Sequence, residues 1–174
     1  MWDFFETVRH RHSVRKYHGD MPVETNKLHA VLEIAIAAPS AGDLQSYQII
    51  VVQDHQLRQA LSKAASQQTF IAEAPVCLVF CSEGQRSQQE FGDRGRTLYA
   101  LQDATIAASY AQLAVVAAGL ASTWVGNFDE PAVARILELG PELTPVAMVC
   151  VGYPAEVPEP TRRRRIEEVV QYRD

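Results

Sequence analysis

The sequence predicts a layered α/β or α+β domain, because helical and strand-like segments alternate along its 174 residues without repeats or a long linker. Three short runs, at residues 47–52, 76–81 and 145–151, show largely continuous rather than alternating hydrophobicity, as expected for strands buried on both faces. Segments with helical spacing separate the runs. We therefore expect a central sheet that helices cover on each side.

The first helices are indicated by residues 2–11 and by residues 25–37, and a further helix is expected at residues 55–67. In the second helix the apolar positions recur at i, i+3, i+4 and i+7, namely Leu28, Val31, Leu32 and Ala35. Pro39 and Gly42 then favour a loop. This loop leads into the first strand.

The longest predicted helix spans residues 101–118, is rich in alanine and carries few charges on any face. A helix that is apolar nearly all round belongs in an interior, and in a chain this small we expect that interior to be a subunit interface. A short extended piece at residues 124–126 follows. The last helix should begin at Asp129, with Pro131 in its first turn, and end at Gly140.

The tail, residues 154–174, is rich in proline and arginine and has one short helical pattern at residues 166–170. It contains too few apolar residues to pack alone and needs another surface. The length of the chain predicts one domain over residues 1–174.

Charge and composition argue against several classes of protein. The net charge of −5 argues against a general nucleic-acid binder. The sequence has no uninterrupted apolar run of about 18 residues, so no membrane span is expected, and the first residues lack the order of a signal peptide. Three cysteines, all in apolar segments, argue against a disulfide framework and are expected to be buried. We therefore expect a cytoplasmic protein.

The sequence offers no self-contained nucleophile and no metal centre. It lacks the G-x-S-x-G elbow, the G-x-x-x-x-G-K-[ST] phosphate loop, G-x-G-x-x-G after a strand, and H-E-x-x-H. If the chain is an enzyme, a cofactor is expected to supply the chemistry. We assign no catalytic side chain.

Two basic clusters have the chemistry of phosphate ligands. Arg11, Ser13 and Arg15 alternate, so in an extended segment they share one face, and guanidinium forks with a hydroxyl suit a phosphate dianion. The second cluster is the run of four arginines at residues 162–165. For this run a solvated surface is the commoner explanation, and an interaction patch or localisation signal is a third one.

The loop at residues 38–45 combines small residues with Ser40, Asp43 and Gln45. Such a loop lets backbone approach a flat ligand while short polar groups bond its edge. An ordinary connection between helix and strand is the better explanation of the loop when it is taken alone. Trp124 is interpreted as a packing residue.

Together and in this order, several segments resemble the nitroreductase family of flavoproteins. They are Arg11-His12-Ser13-Val14-Arg15, Ala38 to Gln45, Ala74-Pro75, Gly119-Leu120 with Trp124-Val125-Gly126, Gly152-Tyr153-Pro154, and the arginines leading into Ile166-Glu167-Glu168-Val169. The resemblance implies an α+β fold with a central mixed sheet flanked by helices. It also implies an intertwined homodimer with FMN at the interface, in which residues 155–174 pack on the partner subunit.

The activity that the resemblance implies is ping-pong hydride transfer from NAD(P)H through FMN to an organic acceptor such as a nitroaromatic or a quinone. Carried over by position, the residues that hold the phosphate and ribityl groups are Arg11, Ser13, Arg15 and Arg163, with His12 adjacent and Arg164 as an alternative to Arg163. Pro39, Ser40, Asp43 and Gln45 would approach the flavin from the other subunit. Val125 and Gly126 would present backbone N–H groups near N5 and O4 of the ring.

The sequence departs from the family in places. Asp43 stands where asparagine is commoner, and residues 83–100 are short and polar where larger relatives insert helices. We therefore expect an open pocket. Its candidate walls are Phe70, Phe91, Tyr99 and Phe128.

Two other functions remain open at this point. One is a different flavin chemistry on the same scaffold, such as reductive dehalogenation, flavin fragmentation or a cofactor-ligase accessory domain, since a fold does not fix a reaction. The other is a non-enzymatic homodimer whose basic residues bind a partner or an anion.

Overall fold

The protein is described by a computed structural model that covers residues 3–173. The α-helices of this part of the chain are α1 Phe4–His10, α2 Thr25–Ile36, α3 His55–Ala64, α4 Phe70–Glu73, α5 Gly84–Arg94, α6 Ala100–Ala117 and α7 Glu130–Ile136. The strands are β1 Tyr47–Val52, β2 Val76–Glu83, β3 Ala121–Val125 and β4 Leu143–Gly152. Short 3₁₀ turns lie at Ala41–Asp43 and Ile166–Glu168, and a π-helical turn lies at Gly95–Tyr99.

The four strands form one sheet in the order β1-β2-β4-β3, and each neighbouring pair is antiparallel. The α+β fold is confirmed. The predicted mixed character of the sheet is limited, within residues 3–173, to one isolated parallel bridge between Ser13 and Ser122. Continuous hydrophobicity indicates only that both faces are covered, and it carries no information on strand direction.

Helices cover both faces of the sheet, as predicted. Along β2, Leu78 and Phe80 pack with α2 and α6 on one face, whereas Cys77 and Val79 pack with α3 and α7 on the other. This alternation follows from the two-residue period of a strand. Cys77, Cys81 and Cys150 are all buried free thiols, in agreement with the sequence.

Helix α6 lies at the centre of the fold against the sheet and α2. Five of its seven alanines are fully buried, namely Ala100, Ala104, Ala107, Ala108 and Ala111. Leu101 and Tyr110 of the same helix remain exposed. Within residues 3–173, no helix is both long and apolar enough to cross a membrane.

Several predicted boundaries are wrong. The third helix ends at Ala64 rather than at residue 67, because Ser66 and Gln67 have positive φ angles of 57° and 58°. The last helix ends at Ile136 instead of Gly140, and Glu138 adopts a φ of 51°. The polar residues 83–100 form α5 and the π-helical turn, whose regular structure the hydrophobic pattern did not indicate. Trp2 of the first predicted helix lies outside the described residues.

Candidate active site

The basic N-terminal segment lies in extended conformation on the edge of β3. After α1 ends, the Val14 N–H donates to the carbonyl of Ser122 at 3.1 Å, and Ser13 and Ser122 form the parallel bridge. Further along, Tyr17 forms an antiparallel bridge with Pro154. The segment therefore has the extended geometry in which successive side chains face opposite ways.

Two buried side chains anchor this segment in the core. Val14 is buried, and the Tyr17 hydroxyl donates to the carbonyl of Val14 at 2.7 Å. Burial raises the pKa of Tyr17 well above its usual value, so the hydroxyl keeps its proton at neutral pH. Arg15 is exposed, and its backbone N–H donates to the Glu156 carboxylate at 2.7 Å.

His12 lines a small cleft of about 300 Å³ together with His10, Val14 and Glu156. Arg11, Ser13 and Arg15 do not line this cleft. The separation follows from the two-residue period of an extended chain. The histidine side chain is therefore directed away from the three predicted phosphate ligands.

The loop that precedes β1 is fixed by the buried carboxylate of Asp103 in α6. That carboxylate accepts hydrogen bonds from the backbone N–H groups of Ala41 at 3.0 Å and Ser46 at 3.3 Å. Asp103 is 2% exposed and is the one charged residue of α6. Our sequence reasoning missed it, although a single acid within an alanine-rich helix is a signal that could have revealed it.

Within the loop, two predicted ligand side chains are bonded to the loop itself. The Ser40 hydroxyl accepts the backbone N–H of Gln45 at 3.0 Å, and the Gln45 amide donates to the carbonyl of Ile36 at 3.1 Å. Pro39 is exposed. Asp43 has a φ of 54° next to Gly42 at 57°, a left-handed conformation that costs energy for a residue other than glycine. The loop is thus held in one strained shape.

Within one subunit, this loop and the basic segment are anchored at different points along α6. The loop is bonded to Asp103, near the beginning of α6, while Gln112 of the same helix donates to the Ser122 hydroxyl at 3.5 Å, beside the basic segment. The two anchoring residues are nine positions apart, which is about 14 Å along a helix axis.

Val125 and Gly126 lie at the end of β3, where Val125 forms the last pair of the ladder with Met148. Val125 is buried, and Gly126 lines a cleft of about 460 Å³. A Cβ atom on Gly126 would lie 3.3 Å from the indole nitrogen of Trp124, so the glycine permits a close approach of backbone and ring. Trp124 itself packs against the core, as predicted.

The arginine run divides into two pairs. Arg164 and Arg165 both form ion pairs with Glu168, at 3.8 and 3.6 Å, and Arg164 also donates to the Glu168 carbonyl. Within residues 3–173, Arg162 and Arg163 form neither an ion pair nor a hydrogen bond, and both are exposed. Arg163 and Arg164 were the two alternative phosphate ligands, and of these Arg163 is the one whose side chain has no partner among residues 3–173 of its own subunit.

The four aromatic residues named as candidate pocket walls lie in different places. Phe128 lines the cleft beside Gly126. Phe70 is buried in the core, and Phe91 packs edge-on against Tyr99 with ring centroids 5.3 Å apart. The contact between Phe91 and Tyr99 forms because α5 packs beside the π-helical turn.

Comparison with known proteins identifies the family. The family model described as "Nitroreductase family" matches residues 8–153. A Thermus thermophilus protein named NADH dehydrogenase is 33% identical, with 94% of this chain and 92% of the relative covered. A Bacillus subtilis protein named FMN reductase (NAD(P)H) is 27% identical, with 90% and 68% covered.

The structural comparison agrees with the sequence comparison. The crystal structure of nitroreductase A from Vibrio parahaemolyticus is 28% identical and superposes with a TM-score of 0.89, with 100% of this chain and 78% of that chain covered. The matched sequence contains the basic segment, the loop fixed by Asp103 and the end of β3. This chain is a member of the nitroreductase family.

Proposed function

We propose that this chain is an FMN-dependent oxidoreductase that passes hydride from NAD(P)H to an organic acceptor such as a nitroaromatic or a quinone. One observation carries the proposal. In a chain that belongs to the nitroreductase family, the basic segment around Ser13 is docked on β3, the strand whose far end presents Val125 and Gly126. Relatives named as reductases of FMN and of nitro compounds support it.

The residues present fit FMN by the chemistry of their donors. Arg11, Ser13 and Arg15 supply two cationic forks and a hydroxyl, which suit a phosphate dianion. Arg163 would add a third guanidinium from the tail, and His12 would contribute through its backbone, because its side chain lies in a separate cleft. Val125 and Gly126 would present backbone N–H groups to the ring. When bound, FMN supplies the hydride-accepting and hydride-donating chemistry.

The protein's own part in the reaction is to bind and to orient. The cleft beside Gly126 is lined by hydroxyl groups, apolar side chains, Arg96 and Glu130. Hydride transfer requires no side-chain acid or base, so we assign no catalytic side chain. Backbone N–H donors and positive charge near a flavin stabilise its reduced, anionic form.

The site is composite in this proposal. Pro39, Ser40, Asp43 and Gln45 would come from the partner subunit of a homodimer, since one subunit holds their loop far along α6 from the basic segment. An apolar groove between α1, α2 and α6 offers a surface for dimerisation. It is lined by Phe4, Thr7, Ile34, Tyr110, Leu113, Ala114 and Ala117.

The tail supports the same assembly. Ile166, Val169 and Tyr172 are exposed by 61%, 57% and 82%, so the tail buries little on its own subunit. We propose that residues 155–174 pack on the partner, and that residues 1–174 form one FMN-binding domain. A cytoplasmic location is proposed from the three buried free thiols.

The other flavin chemistries are not favoured. The relatives from Thermus thermophilus, Bacillus subtilis, Vibrio harveyi and Salmonella typhimurium have names that describe reductases and dehydrogenases using nicotinamide nucleotides. A non-enzymatic dimer is likewise not favoured.

The proposal is tested by the flavin that the protein carries. Protein purified in the presence of FMN and then freed of unbound ligand should release one FMN per subunit on heating, identified by chromatography of the supernatant. A dimer in sedimentation should accompany it. A colourless protein that takes up no FMN would contradict the proposal.

A further inference from the structure

The cleft beside Gly126 is lined by an arginine, Arg96, to which the proposed function assigns no role. It opens at the end of the sheet where β2 and β3 finish and β4 begins, and its volume of about 460 Å³ is in the range of small-molecule sites. Among its lining residues Arg96 is the one cation. Ser82, Thr97 and Thr144 give it a polar side.

The guanidinium of Arg96 is free to bind a ligand. Its one ion pair is loose, with Nε 3.7 Å from a carboxylate oxygen of Asp93, and the Asp93 side chain is 86% exposed. Within residues 3–173 the Arg96 side chain forms no hydrogen bond. The Arg96 side chain is 51% exposed, so it is accessible from the cleft without rearrangement of the core.

A π-helical turn and two neighbouring glycines fix the position of Arg96. Arg96 lies in the π-helical turn between α5 and α6, and such turns are frequent at functional sites. A Cβ on Gly95 would clash with the carbonyl oxygen of Ser87, so the turn can cross α5 only with glycine there. A Cβ on Gly84 would lie 3.2 Å from Cγ of Arg96, so the arginine stem rests directly on that glycine.

Two of the three hydroxyl groups that line the cleft already donate their protons within the protein. The Thr97 hydroxyl donates to the carbonyl of Asp93 at 2.8 Å, and the Ser82 hydroxyl donates to the carbonyl of Thr144 at 3.5 Å. With their protons engaged, they are left as acceptors. The Thr144 hydroxyl is a neutral donor, whereas Arg96 is the cationic lining side chain and can bind an oxyanion by charge-assisted hydrogen bonds from its remaining N–H groups.

We propose that Arg96 binds the oxyanion group, a carboxylate or a phosphate, of the small molecule that reacts beside Gly126, and so determines specificity. The inference rests on the proposed function for the identity of the reaction. The carboxylate of Glu130 also lines the cleft and disfavours negative charge near it. The preferred ligand therefore carries its negative group at the Arg96 end and a neutral body elsewhere.

The test compares Arg96→Gln with a matched control, Arg135→Gln, which removes an exposed arginine of α7 that does not line the cleft. Calorimetry gives Kd for 4-nitrobenzoate and for its neutral analogue 4-nitrobenzamide. Because Arg96 is half exposed, we expect Arg96→Gln to weaken nitrobenzoate binding by about three- to tenfold and to leave nitrobenzamide unchanged. Glu130→Gln should tighten nitrobenzoate binding.

A second arm identifies the source of the oxyanion. If a phosphate of the reductant is the natural ligand, Arg96→Gln should raise KM for NADPH more than for NADH. If an acceptor carboxylate is the ligand, the two KM values should change equally while KM for nitrobenzoate rises. The role of Arg96 would be overturned if Arg96→Gln weakened the binding of nitrobenzoate and nitrobenzamide equally. It would also be overturned if the variant changed neither these two Kd values nor KM for NADH and NADPH.

The two proposals fail separately. Flavin content and bleaching by NAD(P)H are measured on the same samples. If a protein without flavin still bound nitrobenzoate in preference to nitrobenzamide, the Arg96 proposal would be supported and the proposed function would be contradicted. If the flavin were reduced and reoxidised normally but Arg96→Gln did not affect the charged ligand selectively, only the Arg96 proposal would be contradicted.

Discussion

The carboxylate of Asp103 lies 3.0 Å from the backbone nitrogen of Ala41, and this hydrogen bond ties the longest helix to the loop that precedes β1. A second bond, from the N–H of Ser46 at 3.3 Å, closes the loop from its other end. One buried side chain thus fixes the shape of a loop that our proposal assigns to the flavin site of the partner subunit.

Replacing Asp103 should loosen this loop. Asp103→Ala leaves two backbone N–H groups without their acceptor and should lower the free energy of unfolding by about 2–3 kcal/mol, with weaker FMN binding. Asp103→Asn retains one acceptor oxygen and should have a smaller effect on both quantities. Urea unfolding and FMN titration provide the measurements. An alanine variant as stable as the wild type would show that the two bonds do not hold the loop.

Arg163 and Arg164 should differ in their contribution to FMN affinity. Arg163→Ala should weaken FMN binding by about 1.5–3 kcal/mol if Arg163 binds the phosphate, because a charge-assisted bond is lost. Arg164→Ala, which removes an arginine already paired with Glu168, serves as the matched control and should change FMN affinity little. Arg11→Ala should resemble Arg163→Ala. Unchanged affinity in both Arg11→Ala and Arg163→Ala would refute the phosphate assignment.

The apolar groove between α1, α2 and α6 should be needed for assembly. Ile34, 49% exposed, lines this groove, so Ile34→Glu should dissociate the dimer and, with it, reduce FMN binding. Leu57→Glu places the same charge at an apolar residue on α3 that is exposed by 39% and does not line the groove. It should leave the dimer intact. Sedimentation velocity measures both variants, and a dimeric Ile34→Glu protein would argue against this face.

Stability should fall at alkaline pH. Burial raises the pKa of the Cys81 thiol from 9.0 to about 12, and the pKa of Cys150 is raised through its hydrogen bond with Cys77 and through burial. The native protein keeps these protons while the unfolded chain releases them above pH 9. Stabilisation is therefore complete below pH 9 and is lost as the pH rises toward 12.

The Cys81→Ala variant isolates one of these groups. The Cys81 thiol should account for about 1.4 kcal/mol of the stability that the wild type loses at pH 10, since the unfolded thiol ionises one unit below that pH. Urea unfolding at pH 7.5 and pH 10 measures the difference. The loss should be smaller in Cys81→Ala than in the wild type. An equal loss in both proteins would mean that Cys81 does not ionise on unfolding in this range.

The features predicted best from the sequence are those that a periodic pattern encodes. The first strand begins at Tyr47 and ends at Val52, as expected, because its apolar residues end abruptly on both sides. Asp129 caps α7 by accepting the N–H of Ala132, as expected from its position before Pro131. Local chemistry determines each of these features.

What the sequence did not reveal depends on contacts between distant residues. Ser66 and Gln67 end α3 through left-handed backbone conformations that neither residue type favours. The π-helical turn that positions Arg96 depends on the close crossing at Gly95. The sequence does not distinguish Arg163 from Arg164, whereas in the structure Arg164 forms an ion pair with Glu168 and Arg163 does not. No pattern within a short window carries this information.

The most direct test of the account is an anaerobic absorbance spectrum of the purified protein, recorded before and after addition of NADH and then of NADPH. We predict flavin bands that bleach within the time of mixing with at least one of the two nucleotides and return when a nitroaromatic or quinone is added. Bound flavin that neither nucleotide bleaches would contradict the proposed reductase activity, and a spectrum without flavin bands after incubation with FMN would contradict the flavin site itself.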